Sequence, residues 1–208
     1  SLYNETSDGP IKPTPVIGVI GLIDKKPLMI RKINSGDSLI MVGDTKDELG
    51  GSEYSEYIHK FIGGKCPVVD FSESKKNMNS VLDAIENELI KSAHDCSKGG
   101  LSIAISELCM INQIGCNISL EKIPGEKLDS DKILFSESHS RYLLTIENKN
   151  LSKLEETMKK HNVSYSLIGE FTGDSICFIG DSKPIIDLSV DKAQKTWYNS
   201  LKEMVLHA

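Results

Sequence analysis

Apolar positions recur along this chain with two different periods, and the changes of period mark out its elements. Residues 16–23, Val16-Ile17-Gly18-Val19-Ile20-Gly21-Leu22-Ile23, form a near-continuous apolar run, the pattern of a strand buried on both faces. Ser38-Leu39-Ile40-Met41-Val42 has the same character. Met78, Val81, Leu82, Ile85, Leu89 and Ile90 then recur at three- and four-residue intervals, as do Leu101, Ala104, Ile105, Leu108 and Cys109, so the spacing predicts two helices. Ahead of them, Gly50-Gly51-Ser52 is suited to cap a helix with Tyr54, Tyr57, Ile58 and Phe61 on one face, and residues 67–71 read as short and extended.

Strands are expected at 117–120 and 142–146, and an amphipathic helix at 151–161 with Leu151, Leu154 and Met158 on one face. Residues 163–168 and 175–179 read as strands joined at Gly173-Asp174 into a hairpin, and a last helix runs from Asp191 to about Val205. Strands and helices mix without strict alternation, which favours an α+β layered domain. Ile33-Asn34-Ser35-Gly36-Asp37 breaks the pattern between the first two strands, so a boundary is expected there, with 1–34 and 35–208 as separate units.

The 208 residues, 39% hydrophobic and 26% charged, are those of a globular protein able to bury a sizeable core. Thirty acidic and 24 basic side chains give a net charge of −6 with no basic block. That argues against nucleic acid or a membrane surface as partner and leaves room for Mg²⁺-complexed substrates. Cys66, Cys96, Cys109, Cys116 and Cys177 lack zinc-ligand spacing and read as reduced thiols of a cytoplasmic protein. No apolar run has membrane-spanning length. The chain opens on Ser1 rather than methionine, as a piece of a longer protein would.

The densest chemistry lies in Ala93-His94-Asp95-Cys96-Ser97-Lys98-Gly99-Gly100-Leu101, read as a loop between two helices. It offers a carboxylate for a hard cation, a hydroxyl, and two residues without side chains beside the free N–H groups of a helix start. The same residues also suit a plain connector, with Ser97 as cap and Asp95 in an Asx turn. Phe135-Ser136-Glu137-Ser138-His139-Ser140-Arg141 gathers hydroxyls and a guanidinium fit for phosphate, or equally a local Glu137–Arg141 pair at a strand entry. Gly50-Gly51-Ser52-Glu53 is an anion cradle or a cap.

Five segments together resemble one family. They are Ser1-Leu2-Tyr3-Asn4-Glu5-Thr6, Pro13-Thr14-Pro15-Val16-Ile17-Gly18-Val19-Ile20-Gly21, Leu49-Gly50-Gly51-Ser52-Glu53-Tyr54, Ala93-His94-Asp95 with Ser97 and Gly99-Gly100-Leu101, and Phe135-Ser136-Glu137-Ser138 with Ser140-Arg141. In order and spacing they are similar to the C-terminal part of the phosphoribosylformylglycinamidine synthase family, in the synthetase subunit of its small, multi-subunit form. The glycine loops recur across the wider aminoimidazole ribonucleotide synthetase superfamily.

The resemblance implies a layered α/β/α domain, preceded by a strand remnant of the neighbouring domain. It implies a carbon–nitrogen ligase of purine biosynthesis that takes formylglycinamide ribonucleotide, ATP and ammonia from a glutaminase subunit, with a small accessory subunit and Mg²⁺. It places Ser1 at a substrate-contacting serine, Asp95 at a Mg²⁺-ligating aspartate and Ser97 on the phosphate of an auxiliary ATP/ADP site. Glu137 and Ser138 correspond to a glutamate–serine pair that holds substrate in the other half of such enzymes, and count here as nucleotide-binding. Cys96 and His139 depart from the family's usual residues. The family's catalytic histidines and principal ATP loop have no counterpart in this sequence, so the chain alone is expected to fold without turning over, and to cover its first apolar run by packing or by pairing in a homodimer. A related selenophosphate, thiamine-phosphate or aminoimidazole ribonucleotide enzyme, and a non-catalytic nucleotide-binding or scaffold domain, are the competing readings.

Overall fold

The run Ser38–Val42 (β3) is apolar without alternation because both its faces are covered. Leu39 and Met41 join one core cluster, Ile40 and Val42 the other. The computed structural model describes residues 3–11, 14–22 and 32–206. A short antiparallel pair, Glu5–Thr6 (β1) with Gly9–Pro10 (β2), comes first. The remaining strands are Ser92–Asp95 (β4), Cys116–Ser119 (β5), Tyr142–Ile146 (β6), Tyr165–Phe171 (β7), Ser175–Gly180 (β8) and Lys183–Ser189 (β9). With β3 they make a seven-stranded sheet in the order β4-β6-β3-β7-β5-β8-β9, antiparallel throughout except for the parallel pair β5–β8.

Helices cover both faces. Gly100–Asn112 (α3), Ser130–Phe135 (α4) and Val190–Leu206 (α6) lie on the side of Leu39, Met41, Leu143 and Phe171. Phe71–Glu86 (α2) and Leu151–His161 (α5) cover Ile40, Val42, Leu144 and Ile146 through Val81, Ala84, Leu154 and Met158. The result is the α/β/α layering expected. The 142–146 strand and the 151–161 helix fall where the spacing puts them.

Four local expectations are corrected. Residues 16–22 form no strand, and their side chains stand in solvent, Val16 at 94% and Ile20 at 100% exposure. A strand buried on both faces needs hydrogen-bonding neighbours and cover on each side, and among the described residues nothing supplies them. Ile23 lies outside the described residues. The segment 93–101 is not all loop, because its first residues pair with β6 as β4, Ala93 opposite Leu144 and Asp95 opposite Tyr142. The strands either side of Gly173 make no hairpin, since β5 lies between β7 and β8. The helix after Ser52, Glu53–Tyr57 (α1), is a short one whose Tyr57 is exposed, along with Ile58 and Phe61 beyond it.

At the rim between α2 and α5, the Asp83 carboxylate lies 2.8 Å from both Lys160 Nζ and His161 Nε2. Lys160, then His161, hold its pKa below the ordinary carboxylate value. A depressed folded pKa gives stability that is present above the unfolded value of about 4 and lost as pH falls through the folded one. Asp83→Asn should therefore cost about 1 kcal/mol at pH 7, with the gap to the parent closing as pH drops below about 4. Urea midpoints measured across that range check it, and a gap independent of pH refutes it.

Candidate functional site

The antiparallel register places three chain-distant loops at one end of the sheet. Val42 ends β3 and Asp95 ends β4, and both lie opposite Tyr142, the first residue of β6. The loops that follow β3 (43–52) and β4 (96–99) therefore meet the loop 136–141 that leads into β6. Hydrogen bonds stitch them together. Lys46 N donates to Ser138 Oγ (3.1 Å), Glu48 N to Ser136 Oγ (3.3 Å), Glu137 N to Glu48 O (3.1 Å) and Cys96 N to Arg141 O (3.0 Å).

Arg141 is the centre of this stitching. It is 1% exposed, and its guanidinium donates to Ser138 O (3.0 Å), Thr45 Oγ1 (3.1 Å) and Ser136 O. Burial lowers its pKa, while Glu48 and Glu137 act in the opposite direction from a distance. Neither sequence reading of this residue holds. The guanidinium faces carbonyls instead of an open phosphate seat, and among the described residues it has no carboxylate in salt-bridge contact.

Asp95 and Ser97 are exposed beside the start of α3, and the Ser97 hydroxyl donates to Asp95 Oδ2. Glu137 is half-buried, and its Oε1 accepts from Glu53 N (3.0 Å) and Gly99 N (2.9 Å). Ser138 is 1% exposed and engaged with the Lys46 backbone. His139 is exposed, and Ser1 lies outside the described residues. Burial pushes the Cys96 thiol up to about 11, so it stays neutral at pH 7 and acts as a small apolar side chain. Ser52 caps α1 as expected, accepting from Ser55 N. Tyr54 packs its ring on Phe135, with centroids 4.5 Å apart.

Sequence reasoning missed Thr45, Lys46 and Glu48 as the far wall of the site. Nothing in their local pattern marks them, because only the pairing of β3 with β6 brings them there. Lys98 was missed as well; its Nζ bridges to Glu53 Oε1 at 2.5 Å, linking the two glycine turns.

Among the described residues no three His, Cys, Asp or Glu side chains converge to hold a metal. Asp95 is one exposed carboxylate beside a helix start, the donor set of a hard cation that arrives with phosphate oxygens and water supplying the other ligands. The residues fit Mg²⁺ carried by a nucleotide and do not fit an ion held by this chain alone.

The class that the fold and the site define is a three-layer α/β/α domain whose loops 43–52, 96–99 and 136–141 meet at one end of the sheet, and sequence comparison gives that class its family. The model described as AIR synthase related protein, C-terminal domain, matches residues 34–181, and the chain belongs to that family. Within it, the chain is similar to the phosphoribosylformylglycinamidine synthase subunit PurL. It is 35% identical to that of Methanocaldococcus jannaschii over 99% of this chain and 28% of the relative. To that of Thermococcus sibiricus it is 36% identical, again over 99% and 28%. The chain thus spans little more than a quarter of the length of these relatives. In fold it resembles Thermotoga maritima PurL complexed with FGAR, with a TM-score of 0.71 and 20% identity over 79% of this chain and 29% of that one. The ATP complex of the same protein gives 0.67 and 19% identity over 80% and 27%.

Proposed function

We propose that this chain is the C-terminal part of a PurL-type synthetase, with residues 1–34 ending the preceding domain and 35–208 forming the C-terminal-type domain. The observation that carries the reading is the similarity to PurL through nearly the whole chain, 97–99% of it in the relatives with the strongest matches. In the full-length protein the reaction is the ATP-dependent conversion of formylglycinamide ribonucleotide to its amidine. The γ-phosphoryl group of ATP passes to the amide oxygen, ammonia attacks the same carbon, and the C–O bond breaks with phosphate as leaving group. Ammonia comes from a glutaminase subunit, a small accessory subunit completes the assembly, and T. maritima PurL has itself been solved as PurLQS.

This chain's share is an auxiliary nucleotide site and part of the cleft wall. Asp95 holds the metal of a Mg-nucleotide, Ser97 meets its phosphate, Glu137 and Ser138 border the same site, and Ser1 touches substrate. Bound Mg²⁺ would supply charge screening of the phosphates. T. maritima PurL complexes with ATP and with ADP support a nucleotide as ligand. Among the described residues no helix is long and apolar enough to cross a membrane; a cytoplasmic location belongs to the proposed reading. The exposed apolar segment 16–22 is the surface on which the preceding domain, or a second copy of this chain, would add a strand.

Calorimetric titration of MgADP into the full-length protein tests the reading. Asp95→Ala should weaken binding by about tenfold or more while leaving thermal stability within about 0.5 kcal/mol, because an exposed carboxylate supports ligand and not core. Equal affinity in the variant and its parent refutes it.

A further inference from the structure

One carboxylate oxygen joins the two glycine turns. Glu137 Oε1 accepts from Glu53 N, the first residue of α1, at 3.0 Å and from Gly99 N, the N-cap position of α3, at 2.9 Å. Both N–H groups sit at helix starts, where donors lack intrahelical partners. The one other side-chain link between the turns among the described residues is the Lys98–Glu53 bridge, and it is solvent-exposed and so worth little.

Glu137 is itself aimed by a fixed frame. Its N–H donates to Glu48 O, its neighbours Ser136 and Ser138 hold Glu48 N and Lys46 N, and Arg141 binds the carbonyls of both neighbours. Asn77 Nδ2 of α2 donates to Ser140 O at 3.0 Å, bracing the same loop from behind. The carboxylate therefore reaches from the hydrogen-bonded 136–141 loop to the turns at 50–53 and 97–100.

We infer that Glu137 is a positioning residue: it sets the spacing of the turns at 50–53 and 97–100 by accepting one N–H from each, and so places Ser97 and Asp95 for a nucleotide. The inference rests on the proposed reading of Asp95 and Ser97 and deepens it, because Glu137 acts through the backbone of its neighbours and not by contact with the ligand's charge. That difference has a chemical signature. Both hydrogen bonds end on one oxygen, which glutamine presents at the same reach without a charge. Aspartate keeps the charge but is one methylene too short.

The test compares Glu137→Gln, Glu137→Asp and Glu137→Ala in the full-length protein, by hydrogen exchange of peptides covering 50–57 and 97–104 and by MgADP titration. Exchange at Glu53 and Gly99 should rise at least about tenfold, and MgADP affinity fall by about the same factor, in the Ala and Asp variants. The Gln variant should stay within about threefold of the parent in both, and the amides of β6 should not change in any variant. A Gln variant that fails while Asp succeeds overturns the inference in favour of direct contact with the ligand or its metal. Unchanged MgADP affinity in the Ala variant, or protection lost evenly through the sheet, also overturns it. Failure of the nucleotide reading itself has a separate mark, Asp95→Ala binding MgADP as tightly as its parent.

Discussion

Arg141→Ala is expected to destabilise the protein by about 3–5 kcal/mol, the largest loss of any single substitution at this end of the sheet. Truncation removes a fully buried side chain and leaves a cavity at the loop junction. It also strands three acceptors, the carbonyls of Ser136 and Ser138 and the hydroxyl of Thr45, away from water. Each unmet buried acceptor costs about 1–3 kcal/mol, which by itself exceeds a typical surface effect. Arg141→Lys should recover less than half of the loss, since one ammonium cannot span acceptors that lie around a planar five-donor fork. Urea unfolding of the three proteins checks this. A loss under about 1 kcal/mol for the Ala variant, or full recovery by lysine, refutes the assigned role.

Gly100→Ala should cost about 2–4 kcal/mol and lower the melting temperature by about 5–10 °C. Two causes add. The residue has φ +68, where a side chain is strained, and a Cβ would sit 2.5 Å from Ser136 O and 2.9 Å from Leu134 O, both rigid backbone atoms. Gly173 separates the causes, because its φ is +64 but nothing lies within 4 Å of its Cβ position. Gly173→Ala should therefore show the backbone strain alone, about 1 kcal/mol. Thermal unfolding of both variants decides the matter, and equal shifts refute the claim that Gly100 exists to let α3 start against the 136–141 loop. Because that start carries the Gly99–Glu137 bond, the Gly100 variant should also weaken MgADP binding where the Gly173 variant does not.

The sequence by itself determined much of the scaffold, and the reason is periodicity. Leu39 to Val42 and the 142–146 strand are apolar on both faces because helices cover both sides of the sheet. Leu151, Leu154 and Met158 repeat at helical spacing because α5 has one covered face. Those patterns are local, so they can be read locally. The same holds for Ser52 as the cap of α1 and for the five segments that carry the family resemblance.

Tertiary structure decided what periodicity cannot encode. Ser92–Asp95 carries too little apolar character to read as a strand, and it becomes one through backbone pairing with β6. The β7 and β8 runs read as a hairpin because they are neighbours in sequence, yet β5 takes the place between them. Residues 16–22 show the converse, an apolar run that no part of the described chain covers. At the site, the role of Glu137 turned on partners 38 and 84 residues away, Gly99 and Glu53, while Arg141 adds to two carbonyls of its own loop one partner 96 residues away, Thr45. A charged side chain near a glycine loop reads from sequence as a ligand for phosphate. The folded loop turns the Arg141 guanidinium onto its own carbonyls, and the register of β3, β6 and β4 brings Thr45 to it and two backbone amides to Glu137.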